Sequence, residues 1–232
     1  MPQKFQQLKH SKRFSKSSKK WLLRQVNDQF VERAKNEGWR SRATFKIIEI
    51  DEKFKIFKKH KIVVDLGCAP GGWSQYCVGK VGEGNVVAID LLPISPIVGV
   101  NFMQLDFLSE NASEKIIDEL KKIKHNSSGL CDIVLSDMAA NATGDQNTDH
   151  LRIIGLLEEA LNLSQKILKN QGCFVGKIFQ GGSSKEILNL LQQNFLSVKY
   201  FKPESSRKDS SETYLVASGF KGHESEKIKI MI

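Results

Sequence analysis

Residues 61–73 read KIVVDLGCAPGGW, and the fold turns on this stretch. The segment 61–67 (KIVVDLG) has the dense apolar composition of a strand buried on both faces. The glycines that follow let the backbone turn tightly and approach a ligand that a Cβ would exclude. A helical pattern then occupies 73–81. Strand, glycine turn and helix together form the opening unit of an α/β sheet. The glycine spacing is not G-x-G-x-x-G, which argues against a pyrophosphate cradle.

Outward from this unit the rhythm repeats. Further strands are expected at 85–91 (NVVAIDL), 100–105, 131–136 (CDIVLS), 173–179 (CFVGKIF), 197–202 and 213–218 (TYLVAS). Helices are expected near 113–124, 149–170 and 183–194, the longest carrying Ile154, Leu157, Leu161, Ser164 and Leu168 on one stripe, with Gly172 as its stop. Only the polar loop 203–211 separates the last two strands, so they should pair as a hairpin. The expectation is an α/β, Rossmann-like fold: a seven-stranded, mostly parallel sheet with a terminal antiparallel hairpin and helices on both faces. Dinucleotide dehydrogenase domains do not usually end in such a hairpin. No internal repeat is visible.

Before this core, Trp21, Leu22, Val26, Phe30 and Ala34 recur at helical spacing to about Gly38, and Ser41 offers an N-cap for a second short helix with Phe45, Ile48 and Lys46. Residues 1–18 are basic and Ser-rich, the composition of an arm that stays mobile until a phosphate backbone orders it. The 232 residues fit one domain, divided as a basic arm (1–18), basic helices (19–60), an α/β core (61–220) and a tail (221–232). A net charge of +9 favours a polyanionic partner, and the excess is concentrated at the N-terminus: residues 4–24 hold a run of Lys and Arg without an acid, followed by Arg33, Lys35, Arg40, Arg42 and Lys46. No apolar run is long enough to span a bilayer and no secretory h-region follows the basic start, so a cytoplasmic protein is expected. Cys68, Cys77, Cys131 and Cys173 lack C-x-x-C spacing and read as reduced core residues; no metal site is expected.

Asp65, Asp90 and Asp106 fall at the carboxyl ends of the first three strands, where open α/β sheets bind ligands. An acid after strand one suits a cofactor bearing a positive amino group, one after strand two a ribose, and one after strand three an adenine amine. Together they suit S-adenosylmethionine. Each acid alone would more simply cap its turn; the three beside a glycine loop carry the cofactor reading. Trp73 follows the glycines directly and is read as lining the ligand, with a core anchor as the competing role.

Strands four and five end in Ser136-Asp137-Met138-Ala139-Ala140-Asn141 and Gly176-Lys177-Ile178-Phe179-Gln180-Gly181. A lysine inside CFVGKIF needs a partner, because burying an unpaired ammonium costs several kcal/mol. Asp137 is available, and Glu212, opening the last strand, can reach the same place. Nothing in the local pattern around Lys46 asks for more than a solvated helix residue.

The stretches GWRSRATFK (38–46), DLGCAPGGWSQ (65–75), DLLP (90–93), PIVGV (96–100), SDMAAN (136–141), GKIFQG (176–181) and KPESSR…SSETYLVA (202–217) resemble the FtsJ/RrmJ-type family of RNA ribose 2′-O-methyltransferases, in order and over nearly the whole chain. The resemblance implies a Rossmann-like S-adenosylmethionine methyltransferase fold and a Lys-Asp-Lys-Glu catalytic set at Lys46, Asp137, Lys177 and Glu212. It places cofactor contacts at Gly71, Trp73, Asp90, Asp106 and Asp137. The family usually has proline where this chain has Ala140, which bears on the stiffness of the loop after Asp137. Short members without an extra domain resemble the bacterial enzymes that methylate a uridine in large-subunit (23S) ribosomal RNA on the assembled subunit. The implied partner is therefore rRNA within the large ribosomal subunit; a monomer is the simplest expectation for the chain itself.

The implied chemistry is coherent with the residues. A free lysine, with a pKa of about 10.4, is mostly protonated at neutral pH. Burial and neighbouring positive charge favour the neutral amine, while carboxylates favour the charged one. Lys177 is expected to act as general base or to orient the 2′-hydroxyl, Asp137 to position it, and Lys46 and Glu212 to complete the network. Methylation of tRNA or organellar rRNA, a non-catalytic RNA-binding assembly factor and a nucleotide-dependent oxidoreductase are the alternatives.

Overall fold

The computed structural model describes residues 19, 22, 23, 26–139, 145–179, 185–207 and 210–222. The basic arm 1–18, Trp21, Ala140 with the rest of the loop to residue 144, Gln180-Gly181 and the tail beyond 222 lie outside the described residues.

Apolar runs form the sheet. The elements run α1 (Gln29–Asn36), α2 (Thr44–Phe54), β1 (Val63–Leu66), α3 (Gly72–Val81), β2 (Val86–Asp90), β3 (Val100–Gln104), α4 (Ala112–Lys121), β4 (Cys131–Ser136), α5 (Gln146–Ile167), β5 (Leu168–Phe179), α6 (Lys185–Asn194), β6 (Phe195–Phe201) and β7 (Glu212–Phe220). The seven strands lie in the order β3-β2-β1-β4-β5-β7-β6. The first five pair in parallel, with Val63 beside Val86 on one side and Ile133 on the other. β7 slots antiparallel between β5 and β6, as the short loop before it requires. Two apolar layers cover the sheet. One joins α4, α5 and α6 through Ile116, Leu120, Leu157, Leu161 and Leu191, the other α2 and α3 through Ile47, Ile50, Trp73 and Cys77.

Three local expectations change. Asp28 starts α1 afresh, because its carboxylate accepts the Phe30 amide at 3.0 Å and caps the helix there. α2 begins at Thr44 behind Ala43, without a side-chain cap, so Ser41 is not its N-cap. The long helix stops at Ile167 rather than near Gly172. Leu168 turns extended, pairs with Cys131 and buries its side chain, which opens β5 five residues early. All four cysteines are free and buried, and apolar surroundings push the Cys173 thiol up to about 12.

Candidate active site

The carboxyl ends of the parallel strands frame a crevice of about 810 Å³, the size of a small-molecule site. Its lining includes Gly67, Asp90, Asp106, Asp137, Met138 and Gly155. The Asp90 oxygens accept the amides of Ala69 and Leu92, each at 2.8 Å, which fixes the glycine loop to the loop after β2. Asp106 accepts the Leu108 amide at 3.0 Å. An ionised carboxylate has about four acceptor sites, so both acids keep capacity for a further donor. Two glycines hold the crevice open. A Cβ on Gly67 would collide with Met138 Cγ, while one on Gly155 would meet nothing within 4 Å. A glycine-backed cradle rimmed by acids at β2 and β3 fits the hydroxyls and amine of an adenosine.

Two expectations about this crevice are corrected. Asp65 does not line it: it is 1% exposed, beneath the loop, where Ser74 Oγ donates to it at 2.5 Å. Burial lifts its pKa to about 7 against the Ser74 hydrogen bond, with the charges of Asp137 and Asp90 adding to the rise. The Trp73 side chain is a core anchor, its indole N–H donating to the Ala43 carbonyl at 2.8 Å and its ring 5.7 Å from that of Tyr214. Gly71, at φ 102°, caps the start of α3, and a Cβ there would strike Ile97. Gly71 and Trp73 thus offer a ligand only their backbone at the head of α3.

Asp137 joins the crevice to a second group of side chains. β5 and β7 pair so that Lys177 faces Tyr214 and Phe179 faces Glu212. Directly opposed residues share a face, and so do residues two apart, which brings Lys177, Tyr214 and Glu212 together. α2 packs on that face and supplies Lys46. Lys177 Nζ lies 3.2 Å from Asp137 Oδ1 and donates to the Asp137 carbonyl at 2.6 Å. Lys46 Nζ lies 2.8 Å from Glu212 Oε2 and 3.6 Å from Asp137 Oδ2. Lys46 is 7% and Lys177 6% exposed, so the reading of Lys46 as a solvated helix residue falls away. Two ammonium and two carboxylate groups balance, which makes their burial tolerable. Burial pushes the Asp137 carboxyl up, but the charges of Lys177 and Lys46 and the Tyr214 hydroxyl outweigh it and hold the group below its ordinary range.

Two neighbours were not picked out by residue pattern. Tyr214 Oη donates to Asp137 Oδ1 at 2.6 Å, and its ring lies 5.7 Å from Lys46 Nζ. Burial, with the nearby Asp137 and Glu212 charges, pushes the Tyr214 phenol well up, so it is a donor rather than a base. Its signal was its place two residues after Glu212. Ser206 donates to Glu212 Oε1 at 2.8 Å from inside the loop between β6 and β7.

The basic helices also behave differently from a free phosphate-binding face. Arg40 donates to the carbonyls of Ser95 and Pro96 at 2.6 Å each and to Pro70 at 3.4 Å. Arg42 pairs with Asp28 at 3.0 Å and reaches the Ser205 carbonyl. Arg33 pairs with Glu37 over the Phe45 ring. Much of this charge holds the chain together.

Among the described residues no cluster of His, Cys, Asp and Glu could hold a metal ion, and no helix is long and apolar enough to cross a membrane. Residues 39–220 match the family model described as FtsJ-like methyltransferase. The chain is 50% identical over 217 residues to ribosomal RNA large subunit methyltransferase E of Novosphingobium aromaticivorans, covering 94% of this chain and 95% of that one. It is also 50% identical over 219 residues to the protein of the same name from Xanthobacter autotrophicus, covering 93% and 84%. A crystal structure of a ribosomal RNA methyltransferase from Plasmodium falciparum superposes with a TM-score of 0.69 at 30% identity, over 80% of this chain and all of that one.

Proposed function

The chain belongs to the FtsJ-like methyltransferase family, and from that premise we propose that it methylates the ribose 2′-hydroxyl of a uridine in large-subunit ribosomal RNA, with S-adenosylmethionine as donor. The observation that carries this reading is the cluster of buried Lys46 and Lys177 with half-buried Asp137 and Glu212, which shares Asp137 with a glycine-backed crevice. The cofactor when bound supplies an electrophilic methyl group on a sulfonium. Asp90 would accept the ribose hydroxyls, Asp106 the adenine amine, and the backbone at Gly71 and Trp73 together with Asp137 would hold the methionine end.

The chain's own residues then act on the acceptor. Lys177 as the neutral amine takes the 2′-hydroxyl proton at Nζ and becomes the ammonium that Asp137 holds, or as the ammonium it orients that hydroxyl. Asp137 holds Lys177 through one oxygen and Lys46 through the other, and Tyr214 keeps its carboxylate in place. Lys46 and Glu212 close the network, so the acceptor meets a fixed set of charges rather than rearranging solvent. Most of the rate comes from positioning, which is worth several kcal/mol when the reacting groups are held in line.

The substrate is rRNA in the assembled large subunit, met in the cytoplasm by a monomer built as one domain (19–232) with a basic arm (1–18). The homologues named for large-subunit rRNA support this choice over tRNA. Mapping ribose methylation in rRNA from cells with and without the protein tests it. A single large-subunit uridine losing its 2′-O-methyl group is the expected result; an unchanged methylation map would overturn the reading.

A further inference from the structure

Glu212 is held from two sides. Lys46 takes one carboxylate oxygen at 2.8 Å and the Ser206 hydroxyl donates to the other at 2.8 Å. The terminal torsion of a glutamate is broad and roughly two-fold, so one partner alone leaves the plane of the carboxylate free to turn. A second donor on the opposite oxygen removes that freedom. Ser206 is 5% exposed and lies in a chain segment that is itself gripped. The Glu49 carboxylate on α2 accepts the amides of Glu204 and Ser205 at 2.5 and 3.0 Å. Arg42 donates to the Ser205 carbonyl. Asp28, at the head of α1, pairs with both Arg42 and Arg207, at 3.0 and 3.5 Å. The Ser206 amide closes a turn on the Pro203 carbonyl at 3.0 Å. Glu49 and Arg42 therefore hold the backbone just before Ser206, Asp28 pairs with the side chain just after it, and the Ser206 hydroxyl reaches the carboxylate that lies nearest Lys46.

We infer that Ser206 is a positioning residue for methyl transfer, orienting Glu212 toward Lys46 from a loop clamped by Asp28, Arg42 and Glu49. It touches neither cofactor nor acceptor and acts through Glu212 alone. The inference rests on the assignment of Lys46 and Glu212 to the catalytic set. It adds a link from the N-terminal helices to that set.

The test uses the full chain with Ser206→Ala and Ser206→Thr. Steady-state methyl transfer to large ribosomal subunits lacking the modification is measured across pH. Thermal melting and calorimetric titration with S-adenosylmethionine are run beside it, and the Ser206→Ala protein is crystallised. Losing a hydrogen bond to a charged group should lower kcat of Ser206→Ala roughly tenfold and alter its pH profile. The KM and Kd for S-adenosylmethionine and the melting temperature should stay put, and Ser206→Thr should recover most of the rate. In the crystal, Glu212 should have turned off Lys46. Wild-type kcat and pH profile in Ser206→Ala would overturn the inference, as would a Glu212–Lys46 contact unchanged in the crystal. An inactive wild-type chain whose Ser206→Ala crystal shows a displaced Glu212 would sink the catalytic reading while leaving the positioning contact standing.

Discussion

Asp65 is the residue whose behaviour departs most from its sequence reading. The acid at the end of β1 was expected to face a ligand; it sits instead under the glycine loop with Ser74 as its donor. Its folded pKa, about 7, lies above the unfolded value near 3.8. Between those two values the folded state holds the proton and the unfolded chain has released it, so stability falls as pH rises from about 4 to about 7 and then levels. Asp65→Asn keeps an acceptor for Ser74 and has no proton to lose. Urea unfolding at pH 5 and pH 8 should show the parent losing roughly 3 kcal/mol more than the variant over that interval, at ~1.4 kcal/mol per unit of pKa difference. Parallel losses would show that Asp65 is not protonated in the folded state. The lowered pKa of Asp137 works in the opposite sense and at lower pH: its contribution is present above the ordinary Asp range and fades as acid protonates it.

At the scale of elements, the strands were legible because apolar runs bounded by glycine and acid have few other uses. What was not legible depends on contacts far along the chain. The helical stripe runs on through Leu168, and only pairing with Cys131 makes that residue a strand. Trp73 follows two glycines like a ligand-lining residue, but α2 brings the Ala43 carbonyl to its indole and turns it into an anchor. Of the proposed catalytic set, Lys177 stood out as a buried lysine with Asp137 beside it. Lys46 has no local signal, and only the family resemblance placed it. Tyr214 and Ser206 become visible once β5, β7 and the loop before β7 are laid side by side. Arg40 shows an element-scale role for a residue counted as part of a basic surface, since it ties the loop after β1 to the loop after β2. Arg40→Ala should therefore weaken S-adenosylmethionine binding by about tenfold in calorimetric titration, the loss expected for a charged donor removed from carbonyls that tie together the two loops whose Ala69 and Leu92 line the crevice, with kcat at saturation near that of the parent. An unchanged Kd would show that the loops hold their places without it.

For the whole molecule, a charge of +9 gives long-range attraction to RNA, but the charges differ in what they do. Arg40 and Arg42 are bound within the chain, whereas residues 1–18 carry five Lys and Arg and no acid. Plotting log affinity for large ribosomal subunits against log salt should give a steep negative slope. Deleting residues 1–18 should flatten it by up to about four units, at ~0.7–0.9 per phosphate contact, whereas Arg40→Ala should leave it nearly unchanged. An arm deletion with the parent's slope would move RNA docking elsewhere. In the proposed function the fold, the crevice and the charge serve one act, the transfer of a methyl group to a ribose oxygen beside Lys177. The most direct measurement is methyl transfer to large subunits by Lys177→Ala, with calorimetry on the same preparation to verify S-adenosylmethionine binding. Removing a general acid–base group should cost at least about 100-fold in kcat with the cofactor Kd unchanged. Turnover within a few-fold of the parent, with the cofactor bound, would contradict the assignment of Lys177 as the group that handles the 2′-hydroxyl.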